Sequence, residues 1–84
     1  MAIATNPLLD RIALDPKVMS GKPVIRGTRI LVELIVRMVG QGIPQAEILD
    51  DYPRLYVEDI QAALLYAADV VAGEDVFPLT SEIA

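Results

Sequence analysis

The sequence predicts a small, mainly α-helical domain in which three helices follow a short N-terminal β-hairpin. Two strand-like segments, separated by a loop with glycine and proline, predict the hairpin. From about residue 31 onward, apolar residues recur at intervals of three and four, which is the period of an amphipathic helix. Glycine and proline interrupt this pattern twice, so it divides into three helices and follows a helix-turn-helix plan.

The hairpin is predicted from the segments RIALDP (11–16) and PVIRGTRI (23–30). Asp-Pro ends the first segment with residues that favour turns, and proline opens the second. Gly21 lies in the loop between them, and we expect it to adopt a positive φ because it has no Cβ. Gly27 interrupts the second segment, where we expect a bend or a bulge.

The helices are predicted from their apolar positions and from the residues that end them. The first runs from about Leu31 to glycines 40 and 42, with Leu34, Ile35, Met38 and Val39 on its apolar face. The second is PQAEILDDY (44–52), for which we expect Ala46, Leu49 and Tyr52 to face inward. The third is YVEDIQAALLYAADVVAG (56–73), and it has the clearest helical pattern.

The third helix has apolar residues on more than one face. We expect it to expose Glu58 and Asp59 and to bury a stripe consisting of Val57, Ile60, Leu64, Ala67, Ala68 and Val71. Leu65 and Tyr66 point away from this stripe, and one packing layer does not cover both faces. We therefore expect Leu65 and Tyr66 to contact another chain.

The predicted organisation is one domain with a segment on either side. Residues 1–10 form a flexible lead-in, residues 11–73 form the hairpin and the three helices, and residues 74–84 form a C-terminal tail. The tail combines acidic residues with three apolar residues for which we expect a role in binding a partner: Val76, Phe77 and Leu79. The alternative is a tail that folds back on its own core.

The charge of the chain is unevenly distributed. The net charge is −5, yet five of the seven basic residues lie within residues 1–30, and residues 55–84 contain none. One hypothesis is that the basic side contacts nucleic-acid phosphates. The other is that its arginines pair with acidic residues on the third helix of a neighbouring subunit. For the first hypothesis, the candidate DNA-binding residues are Lys22, Arg26, Thr28, Arg29 and Arg54.

The composition excludes several classes of chemistry. The chain has no cysteine and no histidine, which removes disulfides, Cys/His metal sites, thiol nucleophiles and histidine acid–base catalysis. MSGKP (19–23) lacks the first glycine of a phosphate loop, and a pair of Ser20 with Lys17 or Lys22 lacks the desolvation that such catalysis needs. We therefore expect no catalytic residue, metal site or cofactor, and no enzymatic activity.

Hydropathy and composition also predict the cellular location of the protein and its oligomeric state. No apolar stretch is long enough for a membrane span and no signal peptide is indicated, so we expect a cytoplasmic protein. Because 54% of the residues are hydrophobic in a chain of only 84, we expect a homodimer or a higher oligomer.

Roughly residues 11–70 resemble the prokaryotic domain-of-unknown-function family 433. The segments SGKPVIRGTRI, ILDDYPRL and EDIQAALLYA, at this spacing, are the basis of the resemblance. It implies a homeodomain-like three-helix fold and a role as a VapB-like antitoxin encoded beside a PIN-like nuclease toxin, and it implies no catalytic residues. Two positions depart from the family pattern: Leu31, where members often have proline, and Tyr56, where they often have serine or threonine.

The leading functional hypothesis is therefore a type II toxin–antitoxin antitoxin that neutralises a PIN-like ribonuclease, with operator DNA as a further ligand. The alternative is a homo-oligomeric scaffold or transcriptional accessory protein that has no toxin partner. A serine or threonine at the N-cap of the third helix would offer a hydroxyl group to a phosphate. Because this chain has Tyr56 there, that hydroxyl is missing. The departure weakens the nucleic-acid hypothesis more than it weakens the predicted fold.

Overall fold

Three α-helices follow a two-stranded antiparallel sheet in the computed structural model, which describes residues 6–74. This confirms the predicted fold class. In chain order the elements are a 3₁₀ helix at Pro7–Arg11, β1 at Ile12–Ala13, a 3₁₀ turn at Met19–Gly21, β2 at Val24–Ile25, α1 at Val32–Gly40, α2 at Gln45–Asp51 and α3 at Val57–Glu74. No helix in this part of the chain is both long enough and apolar enough to cross a membrane.

The hairpin is shorter than the sequence pattern predicts. Strands β1 and β2 pair over two residues each, with Ile12 opposite Ile25 and Ala13 opposite Val24. Gly21 and Gly27 have φ angles of 82° and 81°, so both occupy the left-handed region that favours glycine. Both conformational predictions for these glycines are confirmed, and Gly27 forms the turn that leads the chain from β2 toward α1.

A 3₁₀ helix occupies Pro7–Arg11, where the sequence pattern predicts only a flexible lead-in over residues 1–10. Its N-cap is Asn6, whose side-chain oxygen accepts a hydrogen bond from the backbone N–H of Leu8 at 2.9 Å. Asparagine at the N-cap followed by proline at the first helical position is a common helix start. The helix packs against α3, so this segment belongs to the folded domain.

The hydrophobic core lies where α1, α2 and α3 meet beneath the hairpin. Ile35 of α1 and Ile48 of α2 are both fully buried. In α2 the predicted inward residues are only partly correct: Leu49 and Tyr52 pack against the core, whereas Ala46 is exposed. Ile48 takes the central place because a seven-residue helix buries essentially one turn.

The buried face of helix α3 is rotated by about 100° about the helix axis relative to the predicted stripe. This is the angle between one residue of a helix and the next. Its core residues include Ile60, Ala62 and Ala63, whereas Leu64 and Val71 of the predicted stripe are exposed. The small side chains of the two alanines allow α3 to lie close to the elements that it covers. The predicted exposure of Asp59 is also wrong, because its side chain is 4% exposed.

Candidate functional site

A cleft lined by three arginines lies beside the hairpin and is named here the arginine cleft. It has a volume of about 580 Å³, and Arg26, Arg29 and Arg54 line it together with Thr28. The fold thus brings the turn after β2 together with the turn between α2 and α3. Four of the five predicted DNA-binding residues are therefore neighbours.

Lys22, the fifth predicted DNA-binding residue, does not line the arginine cleft. Its ammonium group lies 3.4 Å from a carboxylate oxygen of Glu33 at the start of α1, and both side chains are about half exposed. An exposed ion pair of this kind contributes little to stability because water and salt screen it. The structure therefore places Lys22 with the α1 surface and not with the arginines.

Arg26 binds mainly to the backbone of its own domain. Its Nε donates a hydrogen bond to the carbonyl of Asp10 at 2.7 Å, and its Nη2 donates to the carbonyl of Ile12 at 3.0 Å. Its backbone N–H donates to the carbonyl of Arg11 at 2.7 Å. Arg26 therefore holds the 3₁₀ helix and β1 against β2, which leaves fewer of its N–H groups for a ligand.

Thr28 and Arg54 are also used by the fold. The Thr28 hydroxyl donates to the carbonyl of Ile25 at 2.7 Å and accepts from the N–H of Ile30 at 2.9 Å, which fixes the turn. Nη2 of Arg54 donates to the carbonyl of Gly27 at 2.8 Å and ties the α2–α3 turn to the hairpin. Arg54 has further N–H groups that remain available on the cleft side.

Arg29 differs from the other arginines of the cleft. It is exposed, and within residues 6–74 its guanidinium makes no hydrogen bond or ion pair. A guanidinium of this kind presents its whole donor set to solvent, and phosphate oxygens match that geometry. Arg29 is therefore the residue of the cleft that is best placed to bind an anion.

A second cleft, of about 660 Å³, lies next to the arginine cleft and shares Arg26 and Arg54 with it. Its far side is formed by Arg11, Tyr56 and Asp59. Cationic groups thus continue from the hairpin to the first turn of α3. Carboxylates line both clefts: Asp15 lines the arginine cleft, and Asp10 and Asp59 line the second cleft.

The buried Asp59 organises the start of α3. Its Oδ1 accepts a hydrogen bond from Nη1 of Arg11 at 3.0 Å, and its Oδ2 accepts from the backbone N–H of Tyr56 at 2.8 Å. Tyr56 precedes the first helical residue, so Asp59 is the third residue of α3 and satisfies the N-cap donor, as in one half of a capping box. The Arg11 guanidinium also lies 5.9 Å from the centroid of the Tyr56 ring.

The cluster of Arg11, Tyr56 and Asp59 is not among the predicted functional residues, although the sequence contains a signal for it. A carboxylate three residues after the N-cap position is the pattern of a capping box, and Tyr56 and Asp59 have that spacing. The partner of the carboxylate is not visible in the same way, because Arg11 lies 48 residues earlier in the chain. Only the packing of the 3₁₀ helix on α3 brings them together.

The predicted partner-binding residues have different environments. Leu65 is 36% exposed and lies next to the exposed Leu64. We call Leu64, Leu65 and the exposed Ala68 the outer face of α3. Tyr66 is half-buried and packs against the core from the opposite side of the helix. The other three predicted residues lie outside the described part of the chain: Val76, Phe77 and Leu79.

Within residues 6–74, no group of three or more acidic side chains is arranged to hold a metal ion.

A family model described as "Protein of unknown function (DUF433)" matches residues 12–67 of the chain, which include the hairpin, the arginine cleft and most of α3. The chain belongs to the DUF433 family. The resemblance expected from the sequence is thereby confirmed.

Two relatives extend this comparison. The crystal structure of a DUF433 member from Anabaena variabilis is 38% identical to this chain with a TM-score of 0.69, over 75% of this chain and 62% of that one. The chain thus spans about three fifths of the length of that neighbour. An uncharacterized protein of Archaeoglobus fulgidus is 57% identical over 30 residues, which are 36% of this chain and 83% of that protein. The Anabaena variabilis structure agrees with the family assignment and with the fold.

Proposed function

We propose that this protein is the antitoxin of a type II toxin–antitoxin pair: in the cytoplasm it binds and neutralises a PIN-like ribonuclease, and it binds operator DNA. The observation that supports this proposal is that one small domain has both a cleft lined by arginines and an exposed apolar helix face. The arginine cleft lies beside the hairpin, and the apolar outer face of α3 lies on a helix that leads into the C-terminal segment.

The proposed DNA contact is made by Arg29 and Arg54. Arg29 has no partner within the described residues, and Arg54 uses one N–H group on the carbonyl of Gly27. Arg26 stabilises the surface from which they project, because its guanidinium binds two backbone carbonyls. The first turn of α3 exposes Glu58, which repels phosphates, so DNA approaches from the hairpin side.

The proposed toxin contact begins at the outer face of α3. Leu64 and Leu65 are adjacent, exposed and apolar, a combination that favours protein–protein contact. The segment that follows α3 contains further apolar residues and carboxylates. An acidic, apolar segment is chemically suited to the basic, metal-binding cleft of a nuclease.

The DNA contact is tested by measuring affinity for operator-length duplexes over a range of salt concentrations. Arg29→Ala and Arg54→Ala each should lower the affinity and reduce the slope of log K against log salt by about 1. Lys17→Ala is the matched control, because Lys17 is an exposed basic residue that lines neither the cleft nor the groove between α1 and α3. Wild-type affinity in the double variant would exclude the arginine cleft as the contact.

The toxin contact is tested by co-expression with the product of the adjacent reading frame. Wild-type protein should co-purify with that product and suppress its ribonuclease activity, whereas Leu65→Glu should weaken the complex at least tenfold. Gln45→Glu, which adds the same charge to the exposed surface of α2, should leave it unchanged. Deletion of residues 75–84 tests the C-terminal segment separately.

A homo-oligomeric scaffold or transcriptional accessory protein is the second candidate function. It is favoured by a further apolar groove, between α1 and α3, which does not include the outer face of α3. Self-association together with no capture of the neighbouring product would support this candidate over the antitoxin.

A further inference from the structure

An apolar groove runs between α1 and α3 on the side of the domain that does not carry the arginine cleft. It has a volume of about 430 Å³. We call it the α1–α3 groove, and its apolar lining consists of Pro23, Val32, Val36, Tyr66, Ala67, Val70 and Val71. Two charged residues, Glu33 and Arg37, complete its lining.

The α1–α3 groove leaves large apolar side chains in water. Val71 is 71% exposed and Val70 is 41% exposed, and both lie in the last turns of α3. Next to them, Tyr66 and Val36 are only partly covered by the core. A continuous apolar surface of this kind is typical of a protein interface.

The charges of the groove are self-complementary. Glu33 and Arg37 are four residues apart on α1, so they lie one helical turn from each other on the same side. A two-fold axis that passes between Glu33 and Arg37 places Glu33 of each copy opposite Arg37 of the other. The interface then contains two such pairs. An interface with two-fold symmetry requires this kind of matching within one surface.

We propose that a second copy of this chain occupies the α1–α3 groove, with the two α1 helices antiparallel and Glu33 of each copy paired with Arg37 of the other. The valines and Tyr66 of both copies then cover one another. The ion pair of Glu33 with Lys22 is compatible with this arrangement, because it uses one carboxylate oxygen and leaves the second for the partner.

A second copy fits this groove better than an unrelated apolar segment does. An apolar peptide would cover Arg37 without offering it a carboxylate, and removal of a charge from water without compensation is unfavourable. A partner whose charged groups all have the same sign would be complementary to only one of Glu33 and Arg37. Val71 lies two turns after Leu64 on nearly the same side of α3, so the groove adjoins the outer face without including it. The inference goes beyond the proposed function, since its partner is a second copy of this chain and neither the toxin nor DNA.

The test measures the mass of the full chain by sedimentation equilibrium. The wild type should be a dimer, and Glu33→Arg and Arg37→Glu should each raise its dissociation constant at least tenfold, because each variant places like charges opposite each other. An equimolar mixture of the two variants should restore the dimer, because every pair in the mixed dimer is then attractive. A monomeric wild type, or a mixture that stays monomeric, would overturn the proposal.

The apolar part of the groove is tested in the same way. Val71→Asp should raise the dissociation constant of the dimer at least tenfold, whereas Ala72→Asp, an equal charge on the neighbouring exposed residue outside the groove, should leave it unchanged. Equal effects of the two variants would overturn the proposed surface. Loss of the dimer on deletion of residues 75–84, with Glu33→Arg having no effect, would show instead that the C-terminal segment mediates dimerisation.

These results are independent of the antitoxin proposal. Capture of the neighbouring product by a chain that remains monomeric would contradict only the dimer, and a dimer that captures nothing would contradict only the antitoxin.

Discussion

The two halves of helix α3 differ in what they contact. The first half packs on α1 and the 3₁₀ helix, buries Ile60, Ala62 and Ala63, and is fixed at its start by Asp59. In the second half, every residue from Ala68 to Gly73 is exposed, although most of these residues are apolar. The first half of α3 thus contributes to the core of the fold. The end of its second half is not covered by the rest of the described domain.

This difference indicates where binding is concentrated. Apolar residues that the core does not use leave the exposed surface prone to association, so they are expected to have a partner. Two partners are proposed for two adjoining surfaces: a second copy for the groove that contains Val70 and Val71, and the toxin for the outer face with Leu64 and Leu65. Substitutions of the buried residues Ile60, Ala62 and Ala63 should therefore affect stability, and substitutions of the exposed apolar residues from Leu64 onward should affect binding.

The largest expected effect on stability is that of Ile60→Ala. Ile60 is 3% exposed, so its truncation should lower the free energy of unfolding by about 3 kcal/mol. In a domain of this size, that corresponds to a fall in Tm of roughly 15 °C. Leu64→Ala, one turn later on the exposed side, should cost less than about 1 kcal/mol. Thermal and urea unfolding measure both, and equal losses would show that the assigned buried face of α3 is wrong.

The next effect is expected at the start of α3. Asp59→Ala should lower the free energy of unfolding by about 2 kcal/mol, because the N–H of Tyr56 and the guanidinium of Arg11 both lose an acceptor. Asp59→Asn should cost less, since the amide oxygen still accepts one of these hydrogen bonds. Asp69→Ala, an exposed aspartate of the same helix, is the control and should change stability by under about 0.5 kcal/mol. If Asp59→Ala were as stable as this control, the cluster would not stabilise the fold.

The smallest expected effect on stability distinguishes the role of Arg26 from that of Arg29 in the arginine cleft. Arg26→Ala should destabilise the domain by about 1 kcal/mol, because two backbone carbonyls lose their donor. Arg29→Ala should leave stability unchanged to within about 0.5 kcal/mol and lower only DNA affinity. Urea unfolding of both variants beside the binding measurement distinguishes these roles, and an equal loss of stability would contradict them.

Local sequence signals were sufficient to place the hairpin and the ends of the helices, although not to give the length of the paired strands. Gly21 adopts the positive φ that its position indicates, Gly27 lies in the expected bend, and Gly40 is the last residue of α1. These features depend on the backbone freedom of single residues and on a period of three to four residues, both of which are visible in a short window.

The buried face of α3 and the contacts that its residues make were not predictable from such local signals. The sequence pattern favours a stripe with Leu64 and Val71, but the buried face is selected by the two alanines that allow close packing and by the pairing of Asp59 with Arg11. Such contacts join residues far apart in the chain. For the same reason, the sequence identified the arginines of the cleft but did not show that Arg26 is bound to the backbone.

Mass measurement of the purified full chain, alone and co-expressed with the product of the adjacent reading frame, is the most direct test that this protein acts by binding other macromolecules. The expected result is a dimer for the chain alone and a complex of defined mass with that product. A chain that remains monomeric at high concentration and binds neither that product nor DNA would contradict this conclusion.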